Sequence, residues 1–256
     1  MGLLDDKVAV ITASGSGMGR ASALKMTAEG AHVVVADIDE AAAAETVAMA
    51  VDAGGSASAH AVDVSDVSQI ADLFAAVDRD HGRLDVLFAH AGIPGPPGIA
   101  DVSEEDFDRT LDINLKSMFF SVARAIPVME KAPSGSIIMT ASVTGVVGSP
   151  FAPLYSLTKG GVVVFAKSAA LHLAPKIRVN VICPGPVDTP MLPRFFGREP
   201  GADVSDLMQG FLDASVPLRR PAQPTEIGDV VLFLASDMSS FVTGVTMPVD
   251  GGFLAR

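Results

Sequence analysis

The sequence predicts an α/β protein built on a doubly wound parallel sheet, a single domain with helices on both faces. Short runs of β-branched and other apolar residues alternate with longer segments of helical periodicity. The short runs are apolar throughout instead of alternating with polar residues, as expected of parallel strands that are buried on both faces. The regular β-α-β order of these segments is typical of strands connected by helical crossovers.

Each element follows from its local pattern. Five apolar runs are predicted as core strands and a sixth as a last strand: Val8–Thr12, Val33–Ala36, Leu84–Ala89, Ile137–Thr140, Val179–Ile182 and Val245–Val249. Six periodic segments are predicted as helices: Met18–Glu29, Glu40–Asp52, Val67–Arg79, Ser103–Lys131, Tyr155–Leu173 and Thr225–Ala235. Ser103 and Asp106 open the fourth helix with the spacing of a capping box.

Composition supports one folded domain over residues 1–256. The 256 residues are 49% hydrophobic and 19% charged, so a large core can offset the loss of chain entropy. No low-complexity linker divides the chain, but a polar stretch, Pro193–Gly210, interrupts the β-α rhythm. We expect a lid-like insertion at about residues 190–215.

Charge and cysteine content exclude several functional classes. The formal net charge of −12 repels nucleic acid and anionic membrane surfaces. Cys183 is the single cysteine, so no intrachain disulfide and no multi-thiolate metal site is expected. Residues 1–12 lack the basic start and the length of a secretory signal, and glycines and prolines interrupt the uncharged segment 132–158. We expect a cytoplasmic protein that binds no metal.

A glycine-rich turn follows the first predicted strand. Within Thr12–Gly19, the residues Ser14, Gly15, Gly17, Met18 and Gly19 form a turn whose glycines let the backbone approach a pyrophosphate. The N-terminus of the next helix adds N–H donors and a positive dipole. A glycine cluster alone also fits a tight strand–helix turn, but its position favours the phosphate role.

Asp37 ends the second predicted strand. Its separation from Gly19 is close to the roughly 20 residues expected between the glycine turn and a carboxylate that binds an adenosine ribose. The alternative is a residue that caps a turn. A 2′-phosphate would need a cation nearby, yet Ser16 lies before Gly17 and Ile38 follows Asp37. These positions favour NAD over NADP.

Ser142, Tyr155 and Lys159 form the constellation with the strongest chemical content. Tyr155 and Lys159 are four residues apart and share a helix face, where an ammonium group is expected to lower the pKa of the phenol. Ser142 follows a predicted strand, at the sheet edge where doubly wound proteins bind ligands. Singly, such residues are commonplace, but Tyr155 is the only tyrosine of the chain.

Taken together, these motifs resemble the short-chain dehydrogenase/reductase family, in its single-domain Rossmann-fold form, over essentially the whole chain. The matching segments are Thr12–Gly19, Asp63-Val64, Ala91-Gly92, Asn114, Ser142, Tyr155 with Lys159, and Pro184-Gly185 leading to Thr189. The resemblance implies a Ser142–Tyr155–Lys159 centre, with Asn114 holding a water that relays protons through Lys159. It further implies that Asp63 and Val64 contact adenine, that Val187 and Thr189 hold the nicotinamide amide, and that Lys159 binds the nicotinamide ribose. A homotetramer is also implied, with the Val245–Gly252 segment in a subunit contact.

Two departures from the family pattern affect the cofactor side. Ala13 stands where the family usually has glycine, so we expect binding with a slightly shifted backbone. His90 stands where the family usually has an asparagine. A catalytic His90 is the alternative, but we expect a hydrogen-bonded structural histidine beside the cofactor, because the matched site already holds an acid–base group.

The resulting expectation is an NAD-dependent enzyme that transfers a hydride between nicotinamide and a secondary alcohol or ketone. The apolar segments around Ser142, Tyr155, Phe151, Met191 and Leu192 suit a hydrophobic or alicyclic substrate, although Arg194 and Arg198 are available to receive a carboxylate. The alternatives are an NADPH-dependent carbonyl or 3-oxoacyl reductase, and, in another class, a catalytically idle nucleotide-binding sensor or scaffold.

Overall fold

A seven-stranded parallel sheet forms the centre of the molecule in the computed structural model, which describes residues 2–197 and 203–255. The strands are β1 (Val8–Thr12), β2 (His32–Asp37), β3 (Ser56–Ala61), β4 (Val86–Ala89), β5 (Gly135–Thr140), β6 (Ile177–Pro184) and β7 (Thr246–Val249). They lie in the order β3-β2-β1-β4-β5-β6-β7, and every neighbouring pair is parallel. The predicted doubly wound parallel sheet is confirmed.

Helices cover both faces of the sheet. They are α1 (Gly17–Ala28), α2 (Glu40–Asp52), α3 (Val67–His81), α4 (Glu104–Leu111), α5 (Ser117–Met129), α6 (Thr144–Val147), α7 (Pro153–Leu173), α8 (Ser205–Ser215) and α9 (Pro224–Ala235). Residues of α1, α2 and α9 pack in one hydrophobic core, and residues of α3, α5 and α7 pack in the other. Within the described ranges, no helix is both long and apolar enough to cross a membrane.

The strand order indicates at which edge of the sheet a ligand is expected to bind. β1 pairs with β2 on one side and with β4 on the other. The direction in which successive strands are added to the sheet therefore reverses between β1 and β4. In open α/β sheets ligands bind at the carboxyl ends of the strands next to such a switch point. The glycine turn after β1 and the loop after β4 both lie at this edge.

Three elements differ from the sequence prediction. β3 was not among the predicted strands, because its sequence SASAHA lacks the β-branched residues that mark a strand and most of it is partly or fully exposed at the sheet edge. The predicted helix Ser103–Lys131 is interrupted by a π-helical turn, Asp112–Lys116, although Ser103 caps its start as predicted. The polar stretch Pro193–Gly210 contains part of a 3-10 turn, Leu192–Phe195, and the beginning of α8.

Candidate active site

The glycine turn connects β1 to α1 with a compact backbone. Ser14 is buried, and its hydroxyl donates to the Ile11 carbonyl at 2.6 Å and accepts from the Ala36 N–H at 3.1 Å. A Cβ at Gly19 would lie 2.2 Å from the Ala13 carbonyl oxygen, so any side chain there would displace the backbone. A Cβ at Gly17, whose φ is +53°, would lie 3.3 Å from the Thr189 side chain. The glycines therefore let the start of α1 pack closely on the turn and near Thr189.

Ala13 adopts a left-handed backbone, with φ of +54°. L-residues other than glycine rarely adopt this conformation, which costs roughly 1–2 kcal/mol per residue. The turn thus keeps at Ala13 a conformation that favours glycine.

Asp37 lies at the end of β2, against the glycine turn. Its carboxylate accepts from the Gly15 N–H at 2.7 Å and from the Asp39 N–H at 3.0 Å. Ile38 beside it is 70% exposed. The guanidinium of Arg20 donates through Nε to the Gly15 carbonyl at 2.9 Å and forms an ion pair with Glu45. Its Nε also donates to the Thr46 hydroxyl at 3.0 Å, so the nearby cation is already engaged by three acceptors.

Asp63 and Val64 follow β3 next to Asp37. The Val62 N–H donates to the Asp37 carbonyl at 2.9 Å, which holds the two strand ends together. The Asp63 carboxylate accepts from the Ser65 N–H and hydroxyl at 2.9 and 2.7 Å, and Val64 packs against the core. These residues border the same edge as Asp37.

The loop after β4 contains His90, Ala91 and Gly92. The N–H groups of His90 and Ala91 donate to the Thr12 hydroxyl at 2.9 and 3.3 Å, which ties this loop to the start of the glycine turn. The His90 ring stacks on Phe88, and its Nδ1 is 2.9 Å from the Thr140 hydroxyl. Burial, with a smaller contribution from the charge of Lys159, lowers the pKa of His90 to about 3. His90 is neutral at physiological pH.

Asn114 is fully buried within the π-helical turn. Its amide oxygen accepts from the Ile93 N–H at 2.8 Å, and its nitrogen donates to the Ile93 carbonyl at 2.9 Å and to the Thr158 hydroxyl at 3.3 Å. A Cβ at Gly92 would lie 3.3 Å from the Lys159 nitrogen and 3.4 Å from the Asn114 amide oxygen. A side chain at position 92 would therefore press on Lys159 and contact Asn114, and glycine avoids this crowding.

Ser142, Tyr155 and Lys159 lie where β5 and α7 meet. Lys159 is 2% exposed, and its Nζ donates to the Thr140 carbonyl at 2.8 Å and lies 5.6 Å from the centre of the Tyr155 ring. The Ser142 hydroxyl oxygen accepts from the Thr144 N–H at 3.2 Å and from the Thr144 hydroxyl at 3.1 Å. Both bonds use the Ser142 oxygen as acceptor, and its own proton donates to the Tyr155 oxygen.

The electrostatics of this cluster differ from the sequence expectation. Burial raises the pKa of Tyr155 to about 12, and the hydrogen bond from Ser142 acts in the opposite direction but is outweighed. Burial also lowers the pKa of Lys159 to about 8. The expected lowering of the Tyr155 pKa by Lys159 is therefore wrong for the cofactor-free chain, because the low-dielectric site that brings the two groups together also disfavours phenolate.

A cavity of about 520 Å³ opens in front of Ser142 and Tyr155. It contains the predicted pocket residues Phe151, Met191 and Leu192, and it reaches the predicted cofactor residues. Those cofactor residues are Met18, Pro184, Gly185, Val187 and Thr189. None of the described residues that line it carries a charge, so Arg194 is not part of the wall. Arg198 lies outside the described residues.

Phe253 also lines this cavity and was missed by the sequence reasoning. It belongs to the tail after β7, far along the chain from the other lining segments. No local motif signals such a contact, because it depends on how β7 delivers the tail to the carboxyl edge of the sheet. Phe195 lies closer to Tyr155. The two rings pack edge to face, with their centroids 5.3 Å apart.

Comparison with known proteins agrees with this geometry. A family model described as Enoyl-(Acyl carrier protein) reductase matches residues 12–254. The chain is 35% identical to the 3-oxoacyl-(acyl-carrier-protein) reductase FabG of Thermotoga maritima, over 98% of this chain and 99% of that protein. It is 36% identical to the cyclopentanol dehydrogenase of Comamonas testosteroni, over the whole of both.

Solved structures show the same relationship. The crystal structure of levodione reductase superposes with a TM-score of 0.94 at 31% identity and covers 99% of both chains. A second structure, described as a putative short-chain dehydrogenase/reductase from Burkholderia xenovorans, has a TM-score of 0.92 at 34% identity, over 100% of this chain and 99% of the other. With its glycine turn, Tyr155 and Lys159 all at the carboxyl edge of the sheet, the chain belongs to the short-chain dehydrogenase/reductase family of oxidoreductases.

Proposed function

We propose that this protein is an NAD-dependent oxidoreductase that interconverts a neutral, hydrophobic or alicyclic secondary alcohol and its ketone. One observation carries the proposal: the hydroxyls of Ser142 and Tyr155, with Lys159 behind them, face a cavity whose described lining residues carry no charge and which also reaches the loop after β6. A nicotinamide cofactor fits this family and fold, and its nicotinamide C4 supplies or accepts the hydride.

The residues for holding the cofactor lie along one line at the sheet edge. In this proposal the glycine turn and the N-terminus of α1 bind the pyrophosphate, and Asp37 with Ile38 borders the adenosine ribose. Asp63 and Val64 border the adenine, His90 to Gly92 form the floor, and Pro184 to Thr189 border the nicotinamide. The close approach that only glycine permits at Gly17 and Gly19 supports this assignment.

Tyr155 exchanges the proton of the substrate oxygen. At neutral pH it holds its proton, which suits donation to a ketone oxygen during reduction. The Ser142 hydroxyl, which donates to Tyr155 in this structure, would turn to the substrate oxygen and polarise it. In the oxidative direction Tyr155 must first lose its proton, which alkaline pH favours. The charge of Lys159 assists only while Lys159 holds its own proton, because burial lowers its pKa to about 8. Asn114 packs beside Lys159 and borders the route by which that proton reaches solvent.

The preference for NAD rests on charge. Asp37 accepts hydrogen bonds from backbone N–H groups in the cofactor-free chain, and its carboxylate would repel the charge of a 2′-phosphate. Arg20 is already bonded to the Gly15 carbonyl and paired with Glu45. Ile38 offers no cation.

A second candidate function is an NADPH-dependent 3-oxoacyl reductase. The name of the Thermotoga relative favours a 3-oxoacyl substrate, and the description of the matching family model shares with it only the acyl carrier protein. The uncharged wall of the cavity and the name of the Comamonas relative favour the neutral cyclic alcohol. An idle nucleotide-binding role has less support, because Tyr155 and Lys159 are both present.

The direct experiment is a screen of secondary alcohols with NAD and with NADP at alkaline pH, monitored by the absorbance of the reduced cofactor. We expect turnover of cyclic and other apolar secondary alcohols with NAD. Turnover confined to 3-oxoacyl thioesters with NADPH would replace this proposal by the second candidate.

We also propose that the protein is a cytoplasmic homotetramer. Along α7, the side chains of Leu157, Val164 and Leu171 recur every seven residues and are 57%, 63% and 85% exposed. A groove of about 460 Å³ lies beside them, lined by residues that include Phe119 and Phe165. Such apolar faces are costly to leave in water. Light scattering at micromolar concentration should give four times the chain mass, and a stable monomer would contradict the proposal.

A further inference from the structure

The substrate cavity is closed on one side by the C-terminal tail. Phe253 lines the cavity together with Phe196, Leu207 and Phe211. The Phe211 ring lies between the other two aromatic rings, 5.4 Å from Phe196 and 6.2 Å from Phe253 between centroids. We call these three phenylalanines the aromatic wall. It joins the loop after β6, helix α8 and the tail.

The backbone holds Phe253 in a fixed place. The Asp250 carboxylate accepts from the N–H groups of Gly252 and Leu254, each at 2.9 Å, and the Asp250 carbonyl accepts from the Phe253 N–H at 3.2 Å. Gly251 and Gly252 have φ values of +62° and +91°, and a Cβ at either would come within 3 Å of Val216 or Pro217. The tail therefore turns sharply at a point where only glycines fit.

The same turn is attached to the segment that follows α8. The Leu218 N–H donates to the Gly251 carbonyl at 3.2 Å. Since α8 carries Leu207 and Phe211 into the cavity, the tail and α8 are connected both through the backbone and through the aromatic wall. A smaller side chain at position 253 removes the outer support of Phe211 without touching Ser142, Tyr155 or Lys159.

From this geometry we propose that Phe253 is a specificity-determining residue that limits the size of the neutral apolar substrate. The proposal rests on the proposed function for the identity of the site. Across the wall, the Phe253 ring faces Phe211. Phe253 determines which alcohol or ketone fits, and Tyr155 determines whether the bound molecule reacts.

The test compares a small and a large cyclic ketone on the full chain. Cyclohexanone and the bicyclic 2-decalone are titrated against a bound neutral dye, N-phenyl-1-naphthylamine, with saturating NAD, which cannot reduce them. In parallel, kcat/KM is measured for the corresponding alcohols with NAD. The variants are Phe253→Ala and Phe253→Leu. Leu254→Ala is the matched control, because it alters the neighbouring tail residue, which does not line the cavity.

In Phe253→Ala, the ratio of affinities should move toward the bicyclic ketone by at least about tenfold, since a few methylenes in an apolar pocket give discrimination of that order. Phe253→Leu should lie between this variant and the parent, and Leu254→Ala should stay within twofold of the parent. A ratio unchanged in Phe253→Ala, with the melting temperature retained, would overturn the proposal. So would a parent chain that binds neither the dye nor either ketone.

The two readouts separate this proposal from the proposed function. A shifted affinity ratio without turnover of any secondary alcohol would support Phe253 as the size limit and contradict the dehydrogenase assignment. Turnover with NAD and an unchanged affinity ratio would support the dehydrogenase assignment and contradict Phe253 as the size limit.

Discussion

The cofactor preference can be reversed by two adjacent substitutions at the end of β2, Asp37→Ala and Ile38→Arg. Ile38 is exposed, so its side chain can change without disturbing the core. Asp37→Ala also removes the acceptor of the Gly15 and Asp39 N–H groups, so the melting temperature is measured beside the kinetics. The first substitution removes a negative charge beside the expected ribose. The second supplies a planar cation suited to a phosphate.

The magnitude follows from the charges. Two unit charges 4 Å apart interact by about 1 kcal/mol in water and by about 4 kcal/mol at the effective dielectric near a protein surface. A 2′-phosphate carries nearly two charges, and Asp37 is half-buried. We therefore expect the parent to favour NAD by at least about 2 kcal/mol, roughly thirtyfold in kcat/KM.

The assay is the ratio of kcat/KM for NAD and NADP, with the best alcohol of the screen. Asp37→Ala alone should remove most of the discrimination, and the double variant should prefer NADP. Ile38→Ala is the control for the loss of the isoleucine and should leave the ratio near that of the parent. A parent that already prefers NADP would refute the reasoning, and would mean that Arg20 leaves Glu45 to bind the phosphate.

Three further predictions follow from single positions. Ala13→Gly should stabilise the fold by about 0.5–1 kcal/mol, because φ of +54° is strained for alanine. The melting temperature should rise by a few degrees in a thermal scan. An unchanged or lower melting temperature would contradict the strain. Lys159→Ala should lower both kcat/KM and NAD affinity, and calorimetry that finds unchanged affinity would exclude a contact between Lys159 and the nicotinamide ribose. In the cofactor-free chain, the tyrosinate absorbance should stay absent up to pH 10, because burial raises the pKa of Tyr155, the sole tyrosine, to about 12; ionisation below pH 10 would contradict the burial argument.

The parts of the fold that the sequence predicts are those in which local pattern and tertiary environment agree. β1, β2 and β5 are buried, and the continuous apolar runs in their sequences indicate this burial directly. β3 is an edge strand of small and polar residues, so its identity depends on pairing with β2 and not on its own composition. The π-helical turn at Asn114 is likewise invisible to helical periodicity, because it changes the backbone and not the pattern of residues.

The candidate site divides in the same way. Tyr155 and Lys159 are adjacent because helical spacing requires it, and Asp37 is beside the glycine turn because β1 and β2 are neighbours. The pKa of Tyr155 could not be predicted from that spacing, since it depends on how much water the folded chain removes. Phe253 reaches the cavity through a turn whose position only the folded sheet defines.

The central claim is that Tyr155 exchanges the proton of the substrate oxygen, and Tyr155→Phe tests it most directly. The substitution keeps the ring that contacts Phe195 and removes the hydroxyl. The measurement is kcat for the best alcohol, together with the NAD dissociation constant from calorimetry. The account predicts a loss in kcat of at least about a hundredfold, with NAD affinity within a few fold of the parent. A variant that retains a tenth or more of the parent's turnover would contradict it.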